Sequence, residues 1–333
     1  MEEKKTSVQK KILTILISVI IAGVFLWLAL KGLNLEKIKI SLQKANYFWV
    51  AFAGIFGISA YWFRAVRWNL LLEPMNYKIS NSNALWSISF GYLMNLTIPR
   101  SGEIARSTVL YGVEKIPVDK SFGTIILERI IDFVCMLIFL VLTLIFKFDA
   151  IYGFYEKSRV GSPALIIWIL TAGIIALVLF FGFRERFRKF YFFSKIIDFI
   201  DGIFHGLTSI FKLRQKGKFI IYTFAIWICY FFASYLVCFA LPETSDFTFA
   251  DGCFILVIGT LGMIIPASGG LGVFNLAMKF GFTALFLSMG KNTTEGGEIG
   301  LTYSFISLPL QIVITLVMGL IAILMLAKNQ EKN

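Results

Sequence analysis

Long apolar runs alternate with short polar and basic segments along the whole chain of 333 residues. Six of these runs approach or exceed the roughly 20 residues that an α-helix needs to cross the hydrocarbon core of a bilayer. The pattern predicts an all-α, polytopic membrane protein in which residues 1–333 form a single integral membrane domain. The runs that we predict to be full-length transmembrane helices are residues 12–30, 48–72, 121–146, 163–183, 218–241 and 299–327.

Two further apolar regions, residues 83–112 and 250–290, are interrupted by proline and glycine. Each interruption contains Ile-Pro-x-Ser-Gly, as IPRSG at 98–102 and as IPASG at 265–269. Proline ends a helix, glycine permits a chain reversal, and serine is suited to cap the helix that follows. We therefore predict two re-entrant helical hairpins, with two kinked helices as the alternative. The residues expected at the breaks are Pro99, Ser101, Gly102, Pro266, Ser268, Gly269, Gly270 and Asn275.

The order of span, broken region and span occurs twice along the chain. The first copy covers about residues 46–147 and the second about residues 217–327. Because an odd number of predicted crossings separates the copies, the first hairpin would enter from the cytoplasm and the second from the outside. Inverted repeats of this kind are typical of carriers, whose binding site lies between the repeats near the middle of the membrane.

The positive charge of the chain is concentrated in segments that flank the apolar runs. The formal net charge is +12, and this placement follows the positive-inside rule rather than the pattern of a nucleic-acid-binding protein. It predicts that both termini are cytoplasmic and that the chain has no nucleic-acid partner. Residues 184–216 would form a basic amphipathic helix in the cytoplasmic headgroup layer, linking the two repeats, and residues 31–46 would form an interfacial helix.

A group of charged residues lies around the first break, within or at the ends of apolar segments. Five arginines face three carboxylates there, which leaves a surplus of positive charge. Since guanidinium groups bind phosphate in a bidentate fashion, a lipid phosphate would suit this surplus. The predicted substrate-binding residues are Arg64, Arg67, Arg100, Glu103, Arg106, Glu128, Arg129 and Asp132.

Within this group, we expect Arg100 and Arg106 to contact the phosphate, with Arg64 and Arg67 at the cytoplasmic mouth. The carboxylates would hold the arginines and would favour a cationic headgroup. Two alternatives stay open at this point. The charges could form only a structural ion-pair network, and Arg64 and Arg67 could be snorkelling anchors beside Trp62 and Trp68.

Other chemistry has little support in the sequence. The four cysteines lie in apolar segments without a CxxC pair, the single His205 has no ligand set around it, and no phosphate-binding loop of the G-x-x-x-x-G-K-[ST] type is present. We therefore expect no metal, no cofactor and no ATP hydrolysis. In the last span, Pro309 and Gln311 predict a kink with a polar group turned inward.

Four stretches resemble a known family when they are taken in order: RAVRW, NLTIPRSGEIAR, SFGTIILERIIDF and IPASGGLGVFN. They are similar to the transmembrane region of the bacterial lysylphosphatidylglycerol synthases, over roughly residues 10 to 327. The resemblance implies re-entrant hairpins in inverted repeats, movement of lipids between leaflets and a bacterial inner-membrane location. The synthases carry a soluble aminoacyl-transferase domain, whereas this sequence ends at Asn333, so we expect no aminoacyl-tRNA chemistry.

We predict a flippase-like lipid transporter that is not an enzyme and whose partners are membrane phospholipids or lipid phosphates. A membrane enzyme acting on a lipid-linked phosphate or sugar is one alternative. A scaffold for a glycosyltransferase that moves no lipid is the other. The sequence leaves a homo-oligomer open.

Overall fold

The computed structural model describes residues 20, 23–31, 34–98, 100–158, 194, 213–265 and 270–330. The described residues contain no strand, and the predicted all-α class is confirmed. Residues 23–30 are helical, and Glu73–Met75 and Pro242–Thr244 each form a single 3-10 turn. The other helices, numbered here in chain order, are α1 Leu35–Lys44, α2 Tyr47–Leu72, α3 Asn81–Thr97, α4 Gly102–Glu114, α5 Val118–Phe146, α6 Phe148–Ser158, α7 Lys216–Cys238, α8 Phe249–Gly262, α9 Val273–Ser288 and α10 Thr293–Gln330.

Four long helices have the length and apolar composition needed to cross a membrane. They agree with four of the six predicted spans, which confirms an integral membrane protein. The predicted span 163–183 and most of 12–30 lie outside the described residues, as does nearly all of the predicted linker helix 184–216. The four are Tyr47–Met75, Val118–Phe146, Lys216–Cys238 and Thr293–Gln330.

Several of these helices begin at a polar residue whose side chain satisfies free backbone N–H groups. The Asn46 side chain accepts a hydrogen bond from the Phe48 N–H at the start of α2, and the Ser80 hydroxyl accepts one from the Asn83 N–H in α3. At the start of α8, Asp251 accepts from the backbone N–H of Thr248. Such caps set where a helix starts within an otherwise apolar sequence.

The predicted helix at 31–46 is present as α1, which begins at Asn34. Its Ile38 is buried in a small cluster with Ala29 and Leu301, so α1 packs against α10. An ion pair of 3.5 Å between the Lys37 ammonium and Glu298 supports the same contact. The interfacial position of this helix stays a prediction.

Each broken region forms two short helices that pack against each other in antiparallel fashion. In the pair α3–α4, Gly91 lies against Gly102 and Arg106, and in the pair α8–α9, Gly281 lies against Ile258. With 13 to 17 residues, each helix is roughly 20–26 Å long, which is less than the roughly 30 Å of a hydrocarbon core. Two helices that fold back on each other differ from a kinked span, and their re-entry into a bilayer stays a prediction.

The two short pairs have their open ends at opposite ends of the helix bundle. Next to the open end of α3–α4, Gln215 donates a hydrogen bond of 3.0 Å to Glu73, and Asn329 donates to Asn83. Next to the open end of α8–α9, the Asn46 N–H donates to the Ala240 carbonyl at 2.8 Å. The two pairs therefore open in opposite directions along the bundle, and an inverted repeat stays a prediction.

Helices α2 and α7, the first long helix of each copy, pack against each other along most of their length. They are antiparallel, because Trp49 packs on Phe239 while Arg64, further along α2, bonds to Tyr230. Helix α10 contacts both short pairs, α9 with its first half and α3 with its second half. The absence of a side chain at Gly300 permits a close approach of α10 to the Met278 carbonyl in α9.

Candidate functional site

The charged residues of α2 and α5 face each other in the interior of the bundle. Arg64 donates one hydrogen bond to Glu128 and one to Asp132, both at 2.6 Å. Its Nε atom donates to the hydroxyl of Tyr230 in α7, also at 2.6 Å. The three-residue spacing in α2 and the four-residue spacing in α5 each place two charges on one helix face.

Two more arginines complete this buried network. Arg67 lies 2.9 Å from Asp132 and 3.2 Å from Glu128. Arg106 of α4 forms an ion pair of 3.0 Å with the second oxygen of Glu128, and its guanidinium stacks at 3.6 Å over the ring of Trp68. One carboxylate of α5 therefore holds together arginines from α2 and from the first helical pair.

The buried network contains three guanidinium groups and two carboxylates, so it has an excess of one positive charge. Arg64 and Arg67 are only 4% and 0% exposed, which excludes the alternative that they are snorkelling anchors. The Nε atoms of Arg67 and Arg106 have no acceptor among the described residues. A structural ion-pair network therefore explains the burial of most residues in the predicted charged group. It does not neutralise the network, because one of the three guanidinium charges has no carboxylate to balance it.

Arg129 is paired with Glu103 at 3.3 Å, on the outer side of this network. This pair is partly exposed, with 42% of the Arg129 side chain and 27% of the Glu103 side chain accessible. Arg100 lies exposed in the turn between α3 and α4, and no ion pair joins it to a described residue. Arg100 and Arg106, the expected phosphate contacts, are therefore separated: one is at the turn and the other is buried in the network.

A cavity of about 530 Å³ borders the network and is lined by helices from residues 46–147 and from residues 217–327. Of the eight predicted binding residues, Arg64, Arg129 and Asp132 line it. The other five do not, so the residues that bring positive charge to the cavity are Arg64 and Arg129 rather than Arg100 and Arg106. Its volume is within the roughly 300–1,000 Å³ that is usual for small-ligand sites.

Most of the remaining cavity wall is apolar or aromatic, and it is formed by helices of both copies. The sequence pattern did not identify Tyr92 and Tyr230, because a tyrosine in a run rich in aromatic residues has no pattern that distinguishes a cavity from a packed core. Pro309 and Gln311 predicted a kink with a polar group turned inward. Gln311 lines this cavity and is also exposed, and helix α10 continues through Pro309, so the kink stays a prediction.

The first break is built differently from the prediction. Ser101 does not cap α4; its hydroxyl donates to the carbonyls of Met94 and Ile98. The Gly102 N–H is instead capped by the side chain of Asn95, seven residues earlier, at 2.7 Å. The left-handed conformation falls on Arg100, with φ of 63°, and Gly102 is needed for close helix approach. Pro99 lies outside the described residues.

At the second break, Pro266, Ser268 and Gly269 lie outside the described residues. Gly270 has a φ of 75°, a left-handed conformation that favours glycine. Asn275 is buried; its side-chain oxygen accepts from the Gly272 N–H at 3.0 Å, and its amide donates to Ser304 of α10 at 2.7 Å. Asn275 therefore caps α9 and ties it to α10.

Replacing Asn275 by leucine should lower the free energy of unfolding by about 1–3 kcal/mol, because the buried Gly272 N–H loses its acceptor. A lower midpoint of thermal unfolding in detergent would report this loss. Thr283→Val in the same helix is the control, since its hydroxyl donates to the carbonyl of Lys279 one turn earlier in the same helix. Equal midpoints for the two variants would contradict the capping role.

The described residues contain no group of three His, Cys, Asp or Glu side chains that could hold a metal ion.

A family described as "Lysylphosphatidylglycerol synthase TM region" matches residues 15–326. Among curated proteins, the UPF0104 membrane protein MJ1595 of Methanocaldococcus jannaschii is 27% identical over 166 residues, which are 49% of this chain and 48% of that protein. The chain thus spans about half the length of this curated relative. No solved structure matches the chain.

Proposed function

Because the chain belongs to the lysylphosphatidylglycerol synthase transmembrane-region family, we propose that it moves a phospholipid or another lipid phosphate between the leaflets of a membrane. The observation that carries the proposal is the cavity between the two copies, with Arg64 and Arg129 in its wall. The proposal includes a bacterial inner-membrane location, cytoplasmic termini, and two re-entrant hairpins in inverted repeats.

The polar groups of the cavity wall can replace the hydrogen bonds to water that a lipid headgroup loses when it enters the membrane. Moving a charged group through hydrocarbon is costly, and guanidinium and hydroxyl groups offset that cost by replacing the hydration shell. Arg129 is the better placed of the two arginines for a phosphate. Its partner Glu103 is partly exposed and 3.3 Å away, whereas Arg64 is held by two carboxylates and Tyr230. A phosphate could therefore bind the other guanidinium nitrogens of Arg129, which form no hydrogen bond within the described part of the chain, while Glu103 stays paired.

The acyl chains of the substrate would stay in the bilayer. Phe133 of α5 and Met263 at the end of α8 line the cavity and are 51% and 43% exposed. We infer that the cavity opens towards the bilayer between α5 and α8. A headgroup could enter there without its chains passing through the protein.

Reconstitution into vesicles tests the proposal. We expect fluorescent phospholipids and polyprenyl phosphates placed in one leaflet to reach the other faster than in protein-free vesicles. Movement no faster than in protein-free vesicles, for every lipid tried, would contradict the proposal. It would then favour the scaffold or the membrane enzyme, and a new lipid product in mass spectra would identify the enzyme.

Replacing Arg129 by glutamine should lower the transport rate by about tenfold or more, because one charge-assisted hydrogen bond to phosphate is worth about 1.5–3 kcal/mol. The measurement is the initial rate in the same vesicles at equal protein density. Lys120→Gln is the control, since Lys120 is an exposed residue of the same helix that does not line the cavity. Loss of transport in Arg100→Gln but not in Arg129→Gln would contradict this prediction and would indicate that the phosphate binds at the turn between α3 and α4.

A further inference from the structure

We propose that the headgroup bound in this cavity is a phosphate esterified to an uncharged polyol, such as glycerol, inositol or a sugar, and that it bears no amine. This inference rests on the proposed function, since it names the substrate class of the same cavity. Three observations carry it: the carboxylates near the cavity are already paired, its unpaired polar groups are neutral, and its volume exceeds the needs of a phosphate alone.

The described part of the wall offers an ammonium group no free carboxylate. Asp132 is the acid that lines the cavity, and each of its oxygens is bound to an arginine, Oδ2 to Arg64 at 2.6 Å and Oδ1 to Arg67 at 2.9 Å. Glu128 is fully buried behind it, among three arginines. The expectation that these acids favour a cationic headgroup is therefore not supported, because their charge is used within the network.

Two of the aromatic rings in the wall already have partners and are therefore less available to an ammonium group. An ammonium group can bind to the face of an aromatic ring. However, the guanidinium of Arg64 already lies 5.7 Å from the centre of the Tyr230 ring, and the Trp227 ring stacks on Phe139 at 5.2 Å. With Arg64 and Arg129 close by, a further cation would also be repelled.

Two neutral polar groups of the wall form no hydrogen bond within the described part of the chain: the hydroxyl of Tyr92, whose ring packs edge-on against Tyr61, and the carboxamide of Gln311. They come from different copies, α3 and α10. Thr260 adds a hydroxyl that donates to the Leu256 carbonyl and can still accept. Hydroxyl and amide groups are the partners that the hydroxyls of a polyol need.

The size of the cavity agrees with this class of headgroup. A volume of about 530 Å³ is within the range for whole small molecules, so a bare phosphate at Arg129 would leave most of the space to water. A phosphate at the arginines with a polyol extending towards Gln311 would use both the charged and the neutral parts of the wall.

A binding experiment on the full chain in detergent tests the inference separately from transport. Lipids of equal acyl composition would be compared by native mass spectrometry and by the shift in unfolding midpoint. Phosphatidylglycerol and phosphatidylinositol represent phospholipid polyols, a polyprenyl phosphohexose represents lipid-linked sugars, and phosphatidylethanolamine and the aminoacyl ester of phosphatidylglycerol represent amines. We expect at least one polyol lipid to bind about tenfold more tightly than either amine lipid.

Equal or tighter binding of the amine lipids would overturn the inference even if transport is observed. Preferential binding of polyol lipids without any transport would support the inference and contradict the proposed function. The two failures are therefore distinguishable.

The variants Gln311→Leu and Tyr92→Phe should each reduce the preference for phosphatidylinositol over phosphatidic acid, by about fivefold for the loss of a hydrogen bond of ordinary strength. Phosphatidic acid lacks the polyol, so its own binding should change little. Thr108→Val is the control, because Thr108 is exposed on α4 and its hydroxyl bonds to the carbonyl of Ile104. An unchanged preference in both variants would contradict the inference.

Discussion

Replacement of Glu128 by glutamine should destabilise the protein by about 3–5 kcal/mol, the usual cost of removing one partner from a buried ion pair. Glu128 is fully buried and contacts Arg64, Arg67 and Arg106, so the neutral amide would leave three guanidinium groups with Asp132 as their remaining acid. Glutamine has nearly the same volume as glutamate, so the loss would come from charge rather than from packing. The expected readouts are a lower unfolding midpoint and less folded protein extracted from membranes.

Glu103→Gln is the matched control for this variant. Its ion pair with Arg129 is partly exposed, and exposed pairs contribute about 1 kcal/mol or less. A second variant tests the cause: Arg106→Met in the Glu128→Gln background should recover part of the stability, because it removes a buried charge that has lost its partner. Equal stability of Glu128→Gln and Glu103→Gln would contradict the claim that the buried ion pairs of Glu128 stabilise the packing of α2, α4 and α5.

Replacement of Gly102 by alanine should separate the two helices of the first short pair. The added methyl group would meet the carbonyl oxygen of Gly91 and the side-chain nitrogen and Cγ of Asn95. Asn95 is also the cap of the Gly102 N–H, so a shift that relieves the clash would weaken the cap. Overpacking costs about 1–3 kcal/mol and loss of a cap about 1 kcal/mol, so we expect a combined loss of about 2–4 kcal/mol in unfolding free energy.

Gly123→Ala in α5 is the control for this substitution. An added methyl group there meets no atom within 4 Å, and alanine is favoured over glycine in a helix by about 1 kcal/mol. Its unfolding midpoint should stay the same or rise. A neutral Gly102→Ala variant would show that α3 and α4 are less tightly packed than the structure indicates.

The sequence was sufficient for the long helices and for the positions of the breaks. Hydrophobic length is a local property, so each apolar run could be assigned without knowledge of its neighbours. The breaks were predictable because proline and glycine act on the backbone at their own positions. The cap at the first break was not predictable, since Asn95 lies seven residues before Gly102 and reaches it only because the chain reverses between them.

The same distinction applies to the charged residues. Their unusual place in an apolar sequence identified the group, because isolated charges in hydrocarbon are costly and must be paired. Sequence order alone could not show that Glu128 pairs with Arg106, or that Arg129 pairs with Glu103 and faces the cavity. Those pairs join α4 to α5, and their geometry depends on how two helices pack.

The sequence by itself therefore determined the all-α class, the four described spans, the two broken regions and the residues of the charged group. Only the tertiary structure decided which charges are buried, which of them line the cavity, and which neutral groups, such as Tyr92 and Gln311, share that wall. The physical reason is the range of the interactions. Helix formation and backbone breaks depend on neighbours within a few positions, whereas a cavity wall is assembled from residues up to about 250 positions apart, as the Tyr61–Thr315 hydrogen bond illustrates with its separation of 254.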